Sequence, residues 1–116
     1  MERIHNNLNI ENLTKTECFN QFDKGQQKEI LKGLKNNIDV SCYAKRTFDW
    51  IQMKEIRIGL EHNLDVSKYA NEVFKWSQMR EIREGLHDDL DVSIYAKPEF
   101  DCGQMRAIRF SLIDEL

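Results

Sequence analysis

Gln52-Met53-Lys54-Glu55-Ile56-Arg57-Ile58-Gly59-Leu60, followed by Leu64-Asp65-Val66-Ser67-Lys68-Tyr69-Ala70, decides how the chain is read. The same pattern returns as Gln78-Met79-Arg80-Glu81-Ile82-Arg83-Glu84-Gly85-Leu86 and then Leu90-Asp91-Val92-Ser93-Ile94-Tyr95-Ala96. Gln52, Gln78 and Gln104 stand 26 residues apart, and Gln26-Gln27-Lys28-Glu29-Ile30 with Ile38-Asp39-Val40-Ser41-Cys42-Tyr43-Ala44 keeps the register on the other side. A fixed period of this size is the mark of stacked supersecondary units, each too small to bury an apolar face alone. The expected fold is all-α, a short α-solenoid of 26-residue helical-hairpin repeats.

Within one unit, Met53, Ile56, Leu60 and Leu64 fall on one stripe of an α-helix. Asp23 with Gln26, Asp49 with Gln52 and Asp101 with Gln104 have capping-box spacing, so these helices start there; Lys75 breaks the pattern, and its helix is expected to fray most. Asn37 and Asn63, and less well Asp89, suit the left-handed residue that ends a helix. Asp39, Asp65 and Asp91 then read as caps of a second helix of about two turns, which Pro98 prevents from running on in the third unit. Residues 1–21 do not repeat. Leu8, Ile10 and Leu13 are expected to form an N-terminal cap over an array at 22–116 of roughly three and a half units, one domain overall.

Stacking places equivalent residues in columns. Phe22, Phe48, Phe74 and Phe100, and Tyr43, Tyr69 and Tyr95, read as core. Gly33, Gly59 and Gly85, with Ser111 in the fourth unit, sit inside helices, where glycine costs about 1 kcal/mol against alanine; their recurrence implies close approach of a neighbouring helix. Trp50 and Trp76 share a column with Lys24 and Cys102, which a core would not accept, so they are expected to be partly exposed, as a local lid over the caps or as a partner contact.

Two columns are basic: Lys28, Lys54, Arg80 and Arg106, and, three residues on, Arg57, Arg83 and Arg109, with Leu31 in the first unit. One reading is a ladder paired within the chain to Glu29, Glu55 and Glu81 or to Asp39, Asp65 and Asp91. The other is a cationic ridge, one pair per helix spacing of about 8–10 Å, that docks an acidic protein surface or a nucleic-acid backbone.

A net charge of −3 with 32% charged residues gives no global pull toward nucleic acid. No apolar run approaches the ~20 residues of a spanning helix, and Met1 to Asn7 lacks a signal-peptide core, so a cytoplasmic protein without membrane contact is expected. Cys18, Cys42 and Cys102, like His5, His62 and His87, are out of register with one another, which speaks against a disulfide framework, a metal site or a cofactor. No out-of-register nucleophile, base or carboxylate pair has catalytic logic; Glu61-His62 beside Asp88-Asp89 is the nearest assembly and reads as solvated turns, so no enzymatic activity is expected. In the last helix Phe110 and Ile113 occupy columns that are mostly polar elsewhere. They are expected either to be covered by the preceding unit or, with Leu116, to form a two-fold homodimer contact.

The motifs Q-M-x-E-I-R-x-G-L and L-D-V-S-x-Y-A resemble a short helical repeat of poorly characterised proteins from gut Firmicutes, their phages and mobile elements. The resemblance runs from about Phe22 to Leu112; Asn37, Asn63 and Asp89 stand in place of that family's turn glycine, and Gln27 and Leu31 also depart. It implies a small array-only accessory protein that binds another protein as an inhibitor of a host defence enzyme, anti-CRISPR-like or anti-restriction-like. A nucleic-acid backbone binder is the alternative function.

Overall fold

The computed structural model describes residues 17–115 and, among them, helices without strands. A single turn, α1 (Glu17–Asn20), leads into α2 (Lys24–Lys35), α3 (Trp50–Glu61), α4 (Trp76–His87) and α5 (Cys102–Asp114). Each of α2, α3 and α4 packs against the long helix that follows it. Leu8, Ile10 and Leu13 of the expected N-terminal cap lie outside the described residues.

The helix starts follow the sequence. Asp23, Asp49 and Asp101 each accept the N–H three residues on at 2.8 Å, while Gln26, Gln52 and Gln104 reach back to the cap N–H at 2.9 Å. A lysine side chain has no acceptor, so α4 keeps only half of this device, the Lys75 N–H donating to Gln78 at 2.8 Å. Its first residue, Trp76, nevertheless stands in register with Trp50. At the other end Asn37, Asn63 and Asp89 adopt φ of 59°, 59° and 62°. The next N–H, of Ile38, Leu64 or Leu90, then returns to the carbonyl of Gly33, Gly59 or Gly85 at 2.8, 2.9 and 3.0 Å. This is the Schellman closure, with an apolar residue folding back onto the last turn.

The second arm differs from expectation. Instead of a two-turn helix there is a single 3-10 turn of three residues, at Val40–Cys42, Val66–Lys68 and Val92–Ile94. Asp39, Asp65 and Asp91 do cap it, each accepting from the serine two residues on. The tyrosine that follows stops it. Tyr43, Tyr69 and Tyr95 are fully buried, and each hydroxyl donates at 2.7 Å to a carbonyl inside the preceding long helix, that of Glu29, Glu55 or Glu81. Burial pushes these phenols well above their ordinary range, so they remain donors. The same bond explains the glycines. A Cβ on Gly33, Gly59 or Gly85 would overlap the tyrosine hydroxyl and lie 2.7–2.8 Å from a valine methyl. The close neighbour is therefore the tyrosine of the same unit and not another helix. Ser111 stands where no tyrosine follows among the described residues.

The long helices run in the same direction. Gln26, Gln52 and Gln78, near their helix starts, each donate at 2.7 Å to the carbonyl of Phe48, Phe74 or Phe100, immediately before the next helix. Start thus meets start, and the amide joins its own cap to the following unit. Beneath this row Ile30, Met53, Ile56, Met79, Ile82 and Met105 are fully buried, in one apolar cluster with the tyrosines and with Phe22, Phe48 and Phe74. Extents of 48 × 29 × 16 Å describe a flat slab with one layer of long helices. No described helix is long and apolar enough to cross a membrane.

Candidate functional site

Because the helices are parallel and in register, the basic columns become rows across the slab, and the two rows have opposite fates. Arg57, Arg83 and Arg109 turn toward the preceding helix. Their Nε groups donate to the buried carboxylates of Glu29, Glu55 and Glu81 at 2.8, 2.8 and 3.1 Å. These glutamates are 2–5% exposed. Two charges so far from water are tolerable only when paired and hydrogen-bonded, so this row is committed to the fold. The partners are the glutamates; Asp39, Asp65 and Asp91 serve the serine caps. Burial alone would lower the ionisation range of Arg57, but its bonds to Glu29 and Glu61 hold it above the ordinary value.

Lys28, Lys54, Arg80 and Arg106 are exposed. Arg80 lies 3.7 Å from Glu84 and Arg106 is 3.1 Å from Glu81, while no ion pair holds Lys28 or Lys54 among the described residues. One turn before this row come Trp50 and Trp76, 45% and 40% exposed. Trp50 lies over the first turn of α2, where a Cβ on Gly25 would come within 3.0 Å of its ring. It thus covers a neighbouring cap on one side and meets solvent on the other. The outer face of α2 continues with Lys24, Lys32 and Lys35, all exposed. Two indoles, four cations and a lysine-rich edge therefore share one flat helical face.

Phe110 is 51% exposed, with the Arg109 guanidinium 4.8 Å from its ring centre, and Ile113 is partly buried. Leu116 lies outside the described residues.

A third feature gathers around the turns that the sequence sets side by side as solvated, Glu61-His62 and Asp88-Asp89. At the C-terminal ends of α3 and α4, His62, Arg83, Glu84, His87, Asp88 and Arg109 line an open cleft of about 330 Å³. The rings of His62 and His87 lie 5.9 Å apart. The two histidines are out of register in sequence, but the cap of one helix abuts the last turn of the next, and this brings them together. Among the described residues no group of three or more His, Cys, Asp or Glu is arranged to hold a metal ion. No protein-family model, curated protein or solved structure matches the chain.

Proposed function

We propose that the chain is a short α-solenoid that binds a protein through the outer face of its long helices. The observation that carries this is the pair of half-exposed indoles, Trp50 and Trp76, one turn from the exposed cations Lys54 and Arg80. Tryptophan and arginine are the residues most often found at the energetic centre of protein interfaces. The solenoid reading is supported by three contacts that recur from unit to unit: the glutamine that ties neighbouring starts, the glutamate–arginine pair, and the tyrosine seated on a glycine. The partner is an acidic surface with an apolar centre. The resemblance to phage and mobile-element repeats suggests an enzyme of host defence that this chain inhibits.

The nucleic-acid reading rests on a separate observation, the exposed lysines Lys24, Lys28, Lys32 and Lys35 along one helix. Affinity capture from a bacterial lysate, with and without nuclease and across a salt series, decides between the two. Protein binding predicts a nuclease-resistant partner, lost with Trp50→Ser/Trp76→Ser and only mildly salt-sensitive. Nuclease-sensitive capture that falls steeply with log salt and ignores the tryptophans would replace this reading with the other. We propose separately a two-fold contact through Phe110 and Ile113; an unchanged monomer by light scattering for both wild type and Phe110→Glu removes it.

A further inference from the structure

The three inner arginines solve one problem in different ways. Each uses Nε on the buried glutamate of the preceding helix, which leaves the two Nη groups in need of acceptors. Three register positions supply that Nη edge at one joint or another: one near the end of the preceding helix, that helix's C-cap, and the residue four after the arginine. Around Arg57 these are Lys32, Asn36 and Glu61. Glu61 accepts from Nη1 at 2.7 Å, and Asn36 steadies the carboxylate at 2.9 Å. Around Arg109 they are Glu84, Asp88 and Ile113, and Glu84 and Asp88 lie 3.0 and 3.9 Å from the guanidinium. Around Arg83 they are Ile58, His62 and His87, and none is a carboxylate.

Arg83 therefore keeps Glu55 as its one hydrogen-bond partner among the described residues, although its side chain is only 13% exposed. This is the joint that opens into the cleft of about 330 Å³. Glu84 and Asp88 also line it; Glu84 is engaged by Arg109 at 3.0 Å, and Asp88 lies between Arg109 at 3.9 Å and His87 at 3.8 Å.

We propose that this cleft is a carboxylate-binding site whose occupant is an aspartate or glutamate side chain of a protein partner. The ligand class is read from the molecule itself, since the equivalent place at both other joints is filled by a side-chain carboxylate. A planar, singly charged carboxylate matches the free edge of a guanidinium, and His62 and His87 each add an imidazole N–H. A phosphate dianion would meet more repulsion from Glu84 and Asp88. The site lies at the C-terminal ends of α3 and α4, away from Trp50 and Trp76 in their first turns, so it stands or falls independently of the outer-face reading.

The test is an NMR titration of the whole chain with sodium acetate, following the Arg83 Nε–H and the ring C–H groups of His62 and His87. The expected result is a saturable shift at all three residues. His87→Glu supplies in cis the carboxylate that Glu61 gives Arg57, so it should weaken acetate binding at least tenfold while raising Tm. Arg83→Gln should abolish binding, and His87→Glu keeps the test sound if that variant unfolds. A blocked Gly-Glu-Gly peptide should bind at least as tightly as acetate and its Gly-Gln-Gly counterpart not at all. No saturable shift in the wild type, or an undiminished one in His87→Glu, overturns the site. Acetate binding without Gly-Glu-Gly binding overturns the protein side chain as occupant.

Discussion

Two rows of cations, three residues apart in sequence, divide this molecule into an inside and an outside. Arg57, Arg83 and Arg109 are turned inward onto buried glutamates of the preceding helix, whereas Lys28, Lys54 and Arg80 stand in solvent and the exposed Arg106 reaches Glu81 from outside. Equal charge and equal periodicity give no hint of this difference. Residue type does, since the inner row is arginine wherever it is charged and the outer row mixes lysine with arginine. A buried carboxylate that must be met edge-on needs the guanidinium fork, while a solvated position takes either cation.

The sharpest way to break this comparison is to remove one member of each row. Arg57→Met takes from the buried Glu29 its hydrogen-bonded partner and leaves only the half-exposed Lys32, 3.6 Å away, and should cost about 3 kcal/mol in urea unfolding. Lys54→Ala should stay within about 0.5 kcal/mol. Equal effects would mean that the rows do not differ in kind.

A smaller effect tests whether the inside is as intolerant where no charge is involved. Gly59→Ala forces a methyl into the Tyr69 hydroxyl and the Val66 methyl, at an expected cost of about 1–3 kcal/mol. Combining it with Tyr69→Phe should cost less than the sum of the two single changes, because the overlap is then relieved. Ser111→Ala, where no tyrosine stands opposite among the described residues, should be near neutral. Strict additivity in the first pair would remove the tyrosine from the account of the glycine.

An exposed cation at the start of α4 offers a gain. Lys75→Asp completes the capping box that Asp49 forms on α3, and should stabilise by about 1 kcal/mol, the amount Asp49→Ala should lose. A neutral Lys75→Asp would indicate that Gln78 alone suffices.

The smallest effect lies at the border between the rows. Burial alone would raise the Glu61 carboxyl, but hydrogen bonds from Asn36 and Arg57 outweigh it and hold the group below its ordinary value. A carboxyl depressed on folding adds stability that is complete above the ordinary glutamate range and is lost as pH falls through the folded value. The difference in Tm between wild type and Glu61→Gln should therefore shrink on acidification through that range. A difference independent of pH would show that the Arg57–Glu61 bond contributes nothing through its charge.

How far the residues foretold all this depended on the reach of each interaction. The caps at Asp23, Asp49 and Asp101 and the left-handed Asn37 and Asn63 were legible, because each is settled within a few neighbouring residues. The length of the second arm was not. Val66, Tyr69 and Ala70 fit a helix equally well, and the turn ends because the Tyr69 side chain must reach the Glu55 carbonyl, 14 residues back. The linking role of the glutamines was also hidden, since glutamate would cap as well; an amide is required because its NH₂ must donate to a carbonyl 22 residues on. Gln27, which departs from the methionine column, is explained only in three dimensions. Its amide donates to the carbonyls of Phe19 and Phe22, fastening the segment before α2. The histidine cleft needed the helix register itself.

The side-chain bonds that join neighbouring units span 20 to 28 residues, so each joint is closed by its own stretch of chain. Loops of one length cost similar entropy to close, and no joint must wait for a distant strand or terminus to arrive. Folding can begin at any joint and spread to its neighbours as a zipper does. The joint between α3 and α4 is flanked by a further long helix on either side. It is also the joint whose arginine lacks its second carboxylate, so the weakest internal pairing sits where helices on both sides support it.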